Sequence, residues 1–276
     1  MARDTIASLH EEILYPVTRI RTDKAGGSGV LIYSGADQKK PERYINIVLT
    51  CQHVIDDAIK LRDDWDPVLR KDVKRDFFEP VTVELFDYEG SKLLSANSRS
   101  ADIIAYDKHH DLAAVKLHDT RQMPYVATVI PQERIEALRL FEKVWVSGCS
   151  LLHDPFANPG TLTYLRELID QKTYLMCNAP SIFGNSGGGL FQDEGHFLLG
   201  LTSRITGIQV GFGVDIMTWM GFSTHPDRLY EFFQHQELQF IYDPSDDYYA
   251  AQARREQRRK DALRSILLQP ERPVED

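Results

Sequence analysis

Short apolar segments separated by turn residues make up most of the chain between residues 15 and 217. A first set is rich in Val, Ile, Leu, Tyr and Thr and covers residues 15–22, 29–35, 44–50, 80–90, 101–107 and 112–117. A second set covers residues 142–148, 161–168, 173–179, 196–203 and 210–217. This spacing is typical of an all-β barrel or sandwich. The stretch between the sets contains Pro124 and Pro131 and little periodicity, so it predicts a connection between two β domains.

Three parts of the chain depart from this β pattern. Residues 4–14 predict a short helix with Asp4 as its N-cap. Residues 61–76 carry ten charges in sixteen positions and predict a solvated helical or loop insertion. From about residue 226 onward the chain predicts two helical segments, the second of them around residues 246–268.

The second C-terminal helix contains a basic run. Residues 254–264 hold six basic and two acidic residues, and Leu263, Ile266 and Leu267 share one helical face. An ordinary amphipathic helix packed by its apolar stripe accounts for this pattern. The alternative is contact with an anionic partner or a membrane surface. The acidic balance of the whole chain favours the ordinary helix.

Composition and charge narrow the class of protein. Of the 276 residues, 42% are hydrophobic and 26% are charged, which excludes disordered, collagen-like and low-complexity classes. No run approaches the ~18 apolar residues that suggest a membrane span. The net charge of −9 gives no general attraction to phosphate backbones, so nucleic-acid binding is not expected.

The N-terminal segment and the cysteines bear on location. Asp4, Glu11 and Glu12 leave no continuous apolar run at the start of the chain, so a secretory signal peptide is not expected. The chain has three cysteines: Cys51, Cys149 and Cys177. They form neither a disulfide framework nor a zinc-binding spacing. We therefore expect a cytoplasmic protein with buried thiols.

The strongest chemical signal is the motif GNSGGG at residues 184–189. A serine hydroxyl becomes a useful nucleophile only beside a base and a site for developing negative charge. Glycines around Ser186 allow a tight turn that points N–H groups at one spot, although a plain Gly/Ser turn is the alternative for this motif alone. His53 ends an apolar run, LTCQHVID, and Asp111 opens another, DLAAVKL. The chain order His, Asp, Ser differs from that of α/β-hydrolases and subtilisins.

Together these motifs resemble the trypsin/chymotrypsin-fold serine proteases, and in particular the bacterial HtrA/Do-type trypsin-like peptidases. The segments GGSGVLI, TCQHVI, DLAAVKL and GNSGGGL each resemble a family motif, and the resemblance covers about residues 15–236. It implies an all-β fold of two six-stranded antiparallel Greek-key barrels, with an active site in the cleft between them and a helical C-terminal extension. On this basis we expect an N-terminal helix or arm at residues 1–14 and a first barrel, which contains the charged insertion, at residues 15–120. An interdomain connection is expected at residues 121–138, a second barrel at residues 139–222 and C-terminal helices at residues 223–276.

The resemblance also implies roles for individual residues. Ser186 would be the nucleophile, His53 its general base and acid, and Asp111 the carboxylate that orients the imidazole. The oxyanion hole would lie within Gly184, Asn185 and Ser186, with the backbone N–H groups of the first and last as donors. The implied activity is that of an endopeptidase.

Two departures from the family pattern change what is expected. Asn185 stands where digestive relatives have the aspartate that pairs with a new N-terminus, so activation by that salt bridge is not expected. About 40 residues follow residue 236, too few for a PDZ module, so peptide gating of the HtrA kind is not expected either.

The candidate specificity pocket points to uncharged side chains. Pro180 occupies the position, six residues before Ser186, where trypsin-type pockets have a buried carboxylate. A Lys or Arg side chain would be desolvated there without a partner charge. The pocket wall is expected from Ser203, Arg204 and Ile205, with Ile205 narrowing the entrance and Arg204 over the outer subsites. We expect a small or medium aliphatic residue before the cut bond.

Taken together, the sequence and the resemblance predict a bacterial or phage-encoded serine endopeptidase in the cytoplasm, with a polypeptide substrate and a regulatory protein as a further partner. Neither cofactor nor metal is expected, because the adjacent His109 and His110 lack a third ligand at suitable spacing. Two alternatives stay open from the sequence. One is a catalytically silent scaffold or binding protein of the same fold, and the other is a maturation protease dedicated to one partner substrate.

Overall fold

The computed structural model describes residues 5–67 and 70–268. The first closed antiparallel barrel has the strand order β1-β2-β3-β8-β7-β6. Its six strands are β1 (Val17–Arg21), β2 (Gly26–Asp37), β3 (Lys40–Thr50), β6 (Val81–Glu89), β7 (Lys92–Asp107) and β8 (Leu112–Leu117). Apolar residues such as Val30, Leu49 and Val115 are fully buried and fill its interior.

The second closed antiparallel barrel has the order β10-β11-β14-β13-β12-β9. Its strands are β9 (Lys143–Gly148), β10 (Phe156–Ile169), β11 (Lys172–Cys177), β12 (Gly189–Gln192), β13 (Leu198–Val210) and β14 (Gly213–Thr224). Leu162, Phe191 and Leu201 are fully buried in it. The all-β, double-barrel fold predicted from the sequence is confirmed.

Helices lie at the two ends of the chain and between the barrels. They are α1 (Thr5–Leu9), continued by a π-helical turn (His10–Leu14), then α2 (Gln132–Ile135), α3 (Pro226–His235) and α4 (Tyr248–Leu268). The expected N-cap, Asp4, lies outside the described residues. None of the helices in the described ranges is long and apolar enough to cross a membrane.

The prediction for residues 61–76 was wrong. Of these residues, 61–66 and 71–76 belong to the strands of a two-stranded ribbon, β4 (Ile59–Asp66) and β5 (Lys71–Phe78), and not to a helix or a loop. Arg75 on β5 pairs with Asp64 over 3.0 Å and also with the buried Asp66 on β4. The charges of both signs therefore serve as cross-strand partners, which stabilise a ribbon. The count of charges alone did not reveal this pairing.

The described chain divides into two compact units. The first contains both barrels and includes the chain up to Lys60 and from Phe78 to Phe232. The second contains Leu61–Phe77 and the chain from Phe233 onward.

The basic run of α4 is largely paired within the second unit. Arg254 binds Glu237 over 2.7 Å and Asp246 over 2.9 Å, and Arg258 donates to the carbonyl of His235 over 2.7 Å. These contacts support the ordinary packed helix over an anionic-partner site. The side chains of Leu263, Ile266 and Leu267 lie outside the described residues.

Candidate active site

His53 and Asp111 are brought together at one end of the first barrel. β3 ends at Thr50, and a short 3₁₀ turn (Gln52–Val54) then carries His53. Asp111 lies in the turn between β7 and β8 with a left-handed φ of 54°. The Nδ1 atom of His53 lies 3.0 and 2.9 Å from the two carboxylate oxygens of Asp111. The backbone N–H of His53 also donates to Asp111 Oδ1 over 3.1 Å, so the carboxylate fixes both the ring and its main chain.

A third group holds the Asp111 carboxylate. The hydroxyl of Ser203, on β13 of the second barrel, donates to Asp111 Oδ2 over 2.6 Å. Burial alone would raise the pKa of the Asp111 carboxyl, but the hydrogen bonds from His53 and Ser203 outweigh burial and lower the pKa below its ordinary value. The carboxylate is therefore ionised at neutral pH and can stabilise a protonated imidazole.

The loop around Ser186 abuts this pair. The N–H of Gly187 donates to the carbonyl of Thr202 over 2.8 Å, directly before Ser203. Gly187 has a φ of 85°, and a Cβ there would come within 2.4 Å of Thr50 Oγ1 and 3.1 Å of the Cys51 nitrogen. Only glycine fits a left-handed turn at such close approach. The Ser186 loop therefore lies against the end of β3, three residues before His53.

The backbone N–H groups of Gly184 and Ser186 are free to bind a ligand. The carbonyl of Phe183 accepts the N–H of Leu151 over 2.7 Å, which holds the peptide unit that carries the Gly184 N–H. Gly184 has a φ of 92°, and a Cβ there would come within 2.6 Å of the Cys149 carbonyl oxygen. Across residues 5–67 and 70–268, these two N–H groups have no protein acceptor. Two such donors can bind an anionic oxygen.

Asn185 itself contributes internal support rather than a free donor. Its side chain is buried and accepts a hydrogen bond from the Ser150 hydroxyl. Its Nδ2 donates to Ser181 Oγ over 3.3 Å, and its backbone N–H donates to the Ile182 carbonyl over 3.1 Å. Asn185 therefore holds the turn that presents Ser186.

The four residues expected in the specificity pocket have distinct surroundings. Pro180 is exposed, and its carbonyl accepts a hydrogen bond from Asn158 over 2.9 Å. The Ser203 hydroxyl is used by Asp111, so only its backbone is available to a pocket wall. Ile205 is half-buried.

Arg204 is engaged away from Asp111. Its guanidinium pairs with Asp170 over 2.8 Å and lies over the ring of Tyr174, 5.4 Å from the ring centre. The Asp170 hydrogen bond raises the pKa of Arg204. The residue is therefore a charged, paired side chain on the barrel surface.

The thiol of Cys51, beside His53, stays protonated at neutral pH and so is neither a nucleophile nor a metal ligand. All three cysteines are buried free thiols, and burial raises the pKa of Cys51 well above its ordinary value. Cys51 Sγ, His53 and Asp111 each place a metal-binding atom within 4.8 Å of the others. However, the Cys51 thiol donates to the Thr202 carbonyl over 3.3 Å, and the other two residues bind each other. A metal ion would need a deprotonated thiolate here, so the cluster fits a hydrogen-bonded pair better than a metal centre.

Sequence reasoning missed two polar residues near Asp111. It assigned Ser203 to the pocket wall, and it considered His110 only as a candidate metal ligand. His110 is buried, and its ring nitrogens lie 2.9 Å from Asp107 and 2.9 Å from Glu231. In the sequence, Ser203 ends the apolar run LLGLTS and His110 lies just before the apolar run LAAVKL. The position of a polar residue at the end of an apolar run does not by itself reveal its hydrogen-bond partner.

Comparison with known proteins identifies the family of the chain. Residues 27–201 match the model of the trypsin-like peptidase domain. Among solved structures, the serine endoprotease from Yersinia pestis has a similar fold, with a TM-score of 0.54 over 85% of this chain and 67% of that chain. At 16% sequence identity this likeness concerns the fold alone. No curated protein matches the sequence significantly. The family match spans more than half of the chain and includes His53, Asp111 and Ser186, and the chain therefore belongs to the trypsin-like peptidase family.

Proposed function

We propose that this protein is a serine endopeptidase that hydrolyses polypeptides through an acyl-enzyme on Ser186. The observation that carries the proposal is the His53–Asp111 pair, joined over 2.9 Å and reinforced by Ser203, beside the glycine-rich loop of Ser186. A half-buried, ionised carboxylate that holds one imidazole nitrogen leaves the other nitrogen available as a base.

In the acylation step, the Ser186 oxygen attacks the peptide carbonyl carbon while His53 Nε2 accepts the serine proton. The negative charge that develops on the carbonyl oxygen is stabilised by the N–H groups of Gly184 and Ser186. The C–N bond then breaks, and His53 returns the proton to the departing amine. Asp111 keeps Nδ1 protonated and stabilises the imidazolium throughout.

In the deacylation step, water takes the place of the released amine. His53 accepts a proton from this water as its oxygen bonds to the acyl carbon, and the ester bond to Ser186 breaks. The serine oxygen recovers the proton from His53, and the carboxylic acid product leaves. No other reactant is required, since water supplies both the hydroxyl group and the proton.

The substrate we propose is a polypeptide with a small or medium aliphatic residue before the cut bond. Pro180 supplies no carboxylate for a basic side chain, and the branched Ile205 narrows the expected entrance. The Arg204 guanidinium is paired with Asp170, so it is not free to select an acidic side chain. A single methylene changes such discrimination by about 1–3 kcal/mol, so the preference is graded. The free, buried thiols support the proposed cytoplasmic location.

The test is cleavage of a proteome-derived peptide library by the purified protein, with Ser186→Ala as the matched control. We expect new termini after Ala, Val or Thr with the unsubstituted protein and none with Ser186→Ala. Cleavage after Lys or Arg would overturn the pocket assignment but not the activity. A single cut sequence would instead identify a maturation protease, and no cleavage by either form would support a silent scaffold.

A further inference from the structure

We propose that Ser28 is a positioning residue for the oxyanion hole, through which the first barrel sets the backbone of the Ser186 loop. The inference rests on the proposed function, because it assigns a purpose to the Gly184 and Ser186 N–H groups. Ser28 belongs to the GGSGVLI segment of β2, which the catalytic roles above leave without a task.

Ser28 bonds to the loop on both sides of Asn185. It is completely buried. Its hydroxyl donates to the carbonyl of Gly184 over 2.7 Å, and its backbone N–H donates to the carbonyl of Ser186 over 2.8 Å. The same hydroxyl oxygen accepts the N–H of Cys149 over 2.7 Å. One residue of the first barrel thus makes three hydrogen bonds to the second.

These bonds fix the peptide planes next to those of the oxyanion hole. Each peptide unit is planar, so the N–H groups of Gly184 and Ser186 lie in the units that join them to the preceding residue. The next units share the Cα atoms of Gly184 and Ser186 with these units, so fixing the next units restricts the rotation of the N–H groups. Ser28 Oγ holds the carbonyl of the Gly184–Asn185 unit, and Ser28 N holds the carbonyl of the Ser186–Gly187 unit. Because Gly184 has no Cβ, its backbone rotates more freely than that of other residues. The hydrogen bond from Ser28 therefore restricts the rotation of the Gly184 backbone.

The bond from Cys149 extends this control to the other side of the hole. Cys149 begins the segment in which Leu151 and Leu152 have left-handed φ values of 52° and 60°. Such values are unfavourable for a residue other than glycine, so the segment needs support from outside. The N–H of Leu151 holds the carbonyl of Phe183 over 2.7 Å, which orients the peptide that carries the Gly184 N–H. The Ser28 hydroxyl therefore anchors both segments that meet at the hole.

Removal of this hydroxyl has a defined structural consequence. Ser28→Ala leaves the Cys149 N–H and the Gly184 carbonyl without their shared partner, and the Cys149 N–H is buried. The peptides of the hole then lose their fixed direction while His53, Asp111 and Ser186 are chemically intact. We expect the loss to fall on the transition state, where the oxyanion exists, rather than on substrate binding.

Ser147 provides a matched control. It is a completely buried serine on β9 of the second barrel, and its hydroxyl has no hydrogen-bond partner among the described residues. Ser147→Ala removes the same atom from a similar environment but removes no bond to the Ser186 loop.

The experiment measures kcat and KM on a fluorogenic peptide, together with the inhibition constant of a peptide aldehyde ending in valine. The aldehyde forms a tetrahedral adduct with Ser186 whose oxygen occupies the oxyanion hole. For Ser28→Ala we expect kcat to fall about 10- to 100-fold, somewhat less than the loss of a direct oxyanion donor. We expect KM to stay unchanged and the aldehyde to bind more weakly by a similar factor. Ser28→Cys, which keeps a weaker donor and acceptor, should lie between.

Three results would overturn the proposal, and a fourth would show that the proposed function itself is wrong. Equal kcat values for Ser28→Ala and Ser147→Ala would overturn the proposal, as would a rise in KM with unchanged kcat and aldehyde binding. If Ser28→Ala does not fold, Ser28→Cys takes its place, and a Ser28→Cys protein with unchanged kcat and aldehyde affinity would overturn the proposal. Failure of the proposed function shows separately, as an unsubstituted protein that neither cleaves the peptide nor binds the aldehyde.

Discussion

The hydroxyl of Ser203 donates to the carboxylate of Asp111 over 2.6 Å and so joins β13 of the second barrel to the β7–β8 turn of the first. The same carboxylate also binds the ring and the backbone N–H of His53. Asp111 is therefore held from both barrels, and its position depends on how they pack. The proposed charge partner of His53 is fixed by tertiary structure rather than by its own turn.

This relationship predicts the effect of Ser203→Ala. Loss of a hydrogen bond to a charged group costs about 1.5–3 kcal/mol, part of which is recovered by water or by rotation of the carboxylate. We expect kcat/KM to fall about tenfold and the pKa of Asp111 to rise toward its ordinary value. Steady-state kinetics against Ser223→Ala, a buried serine on β14, provide the comparison. Equal activity of the two variants would show that His53 alone holds the carboxylate.

Asp111→Asn should be far more damaging than Ser203→Ala. An amide presents an N–H to His53 Nδ1 and stabilises the imidazole tautomer that cannot accept the Ser186 proton. By analogy with other Ser–His–Asp triads, we expect turnover to fall on the order of 10⁴-fold. Triad members act as a unit, so adding His53→Ala should cost little more. Active-site titration checks this. A double variant with losses that multiply would contradict the proposed triad.

The lowered pKa of His225 predicts how the free energy of unfolding depends on pH. It is buried directly before α3, and its Nδ1 accepts the N–H of Asp227 over 3.2 Å. Burial lowers the pKa of His225 to about 4, despite the opposing charge of Asp227. In the unfolded chain this histidine binds a proton at a higher pH than in the folded protein. The stability that neutral His225 contributes is therefore fully present above pH ~6.5 and is lost as the pH falls toward 4.

The corresponding measurement is the melting temperature of the protein and of His225→Asn between pH 7.5 and 4.5. Asparagine keeps a side-chain acceptor at the helix start but does not titrate. We expect the melting temperature of the unsubstituted protein to fall more steeply on acidification. Parallel curves for the two proteins would rule out His225 as the source.

His110 predicts a contribution to stability at the proposed site. Its ring joins Asp107 to Glu231 of α3, while Arg228 donates to its carbonyl. His110→Ala leaves these polar groups without their partner, which we expect to cost about 1–3 kcal/mol in the free energy of unfolding. The neighbouring His109 is exposed, so His109→Ala is a suitable control in urea denaturation. A smaller loss for His110→Ala than for His109→Ala would contradict the account.

The sequence was informative where the physical cause is local. Alternating apolar runs predicted the strands, and the glycines around Ser186 predicted a tight turn, because left-handed φ values and close approach select glycine. It was uninformative where a polar residue needs a distant partner. Ser28 bonds to residues more than 100 positions away, and Arg75 finds Asp64 only across a ribbon. Such partners depend on how the strands assemble.

The central claim is that Ser186 is a nucleophile activated by His53. The most direct measurement is the intact mass of the protein after reaction with diisopropyl fluorophosphate, followed by peptide mapping. The account predicts a single diisopropylphosphoryl group on Ser186, formed with loss of fluoride. It predicts no such group in Ser186→Ala and much slower modification of Ser186 in His53→Ala. An unmodified, folded protein, or modification that proceeds equally fast without His53, would contradict it.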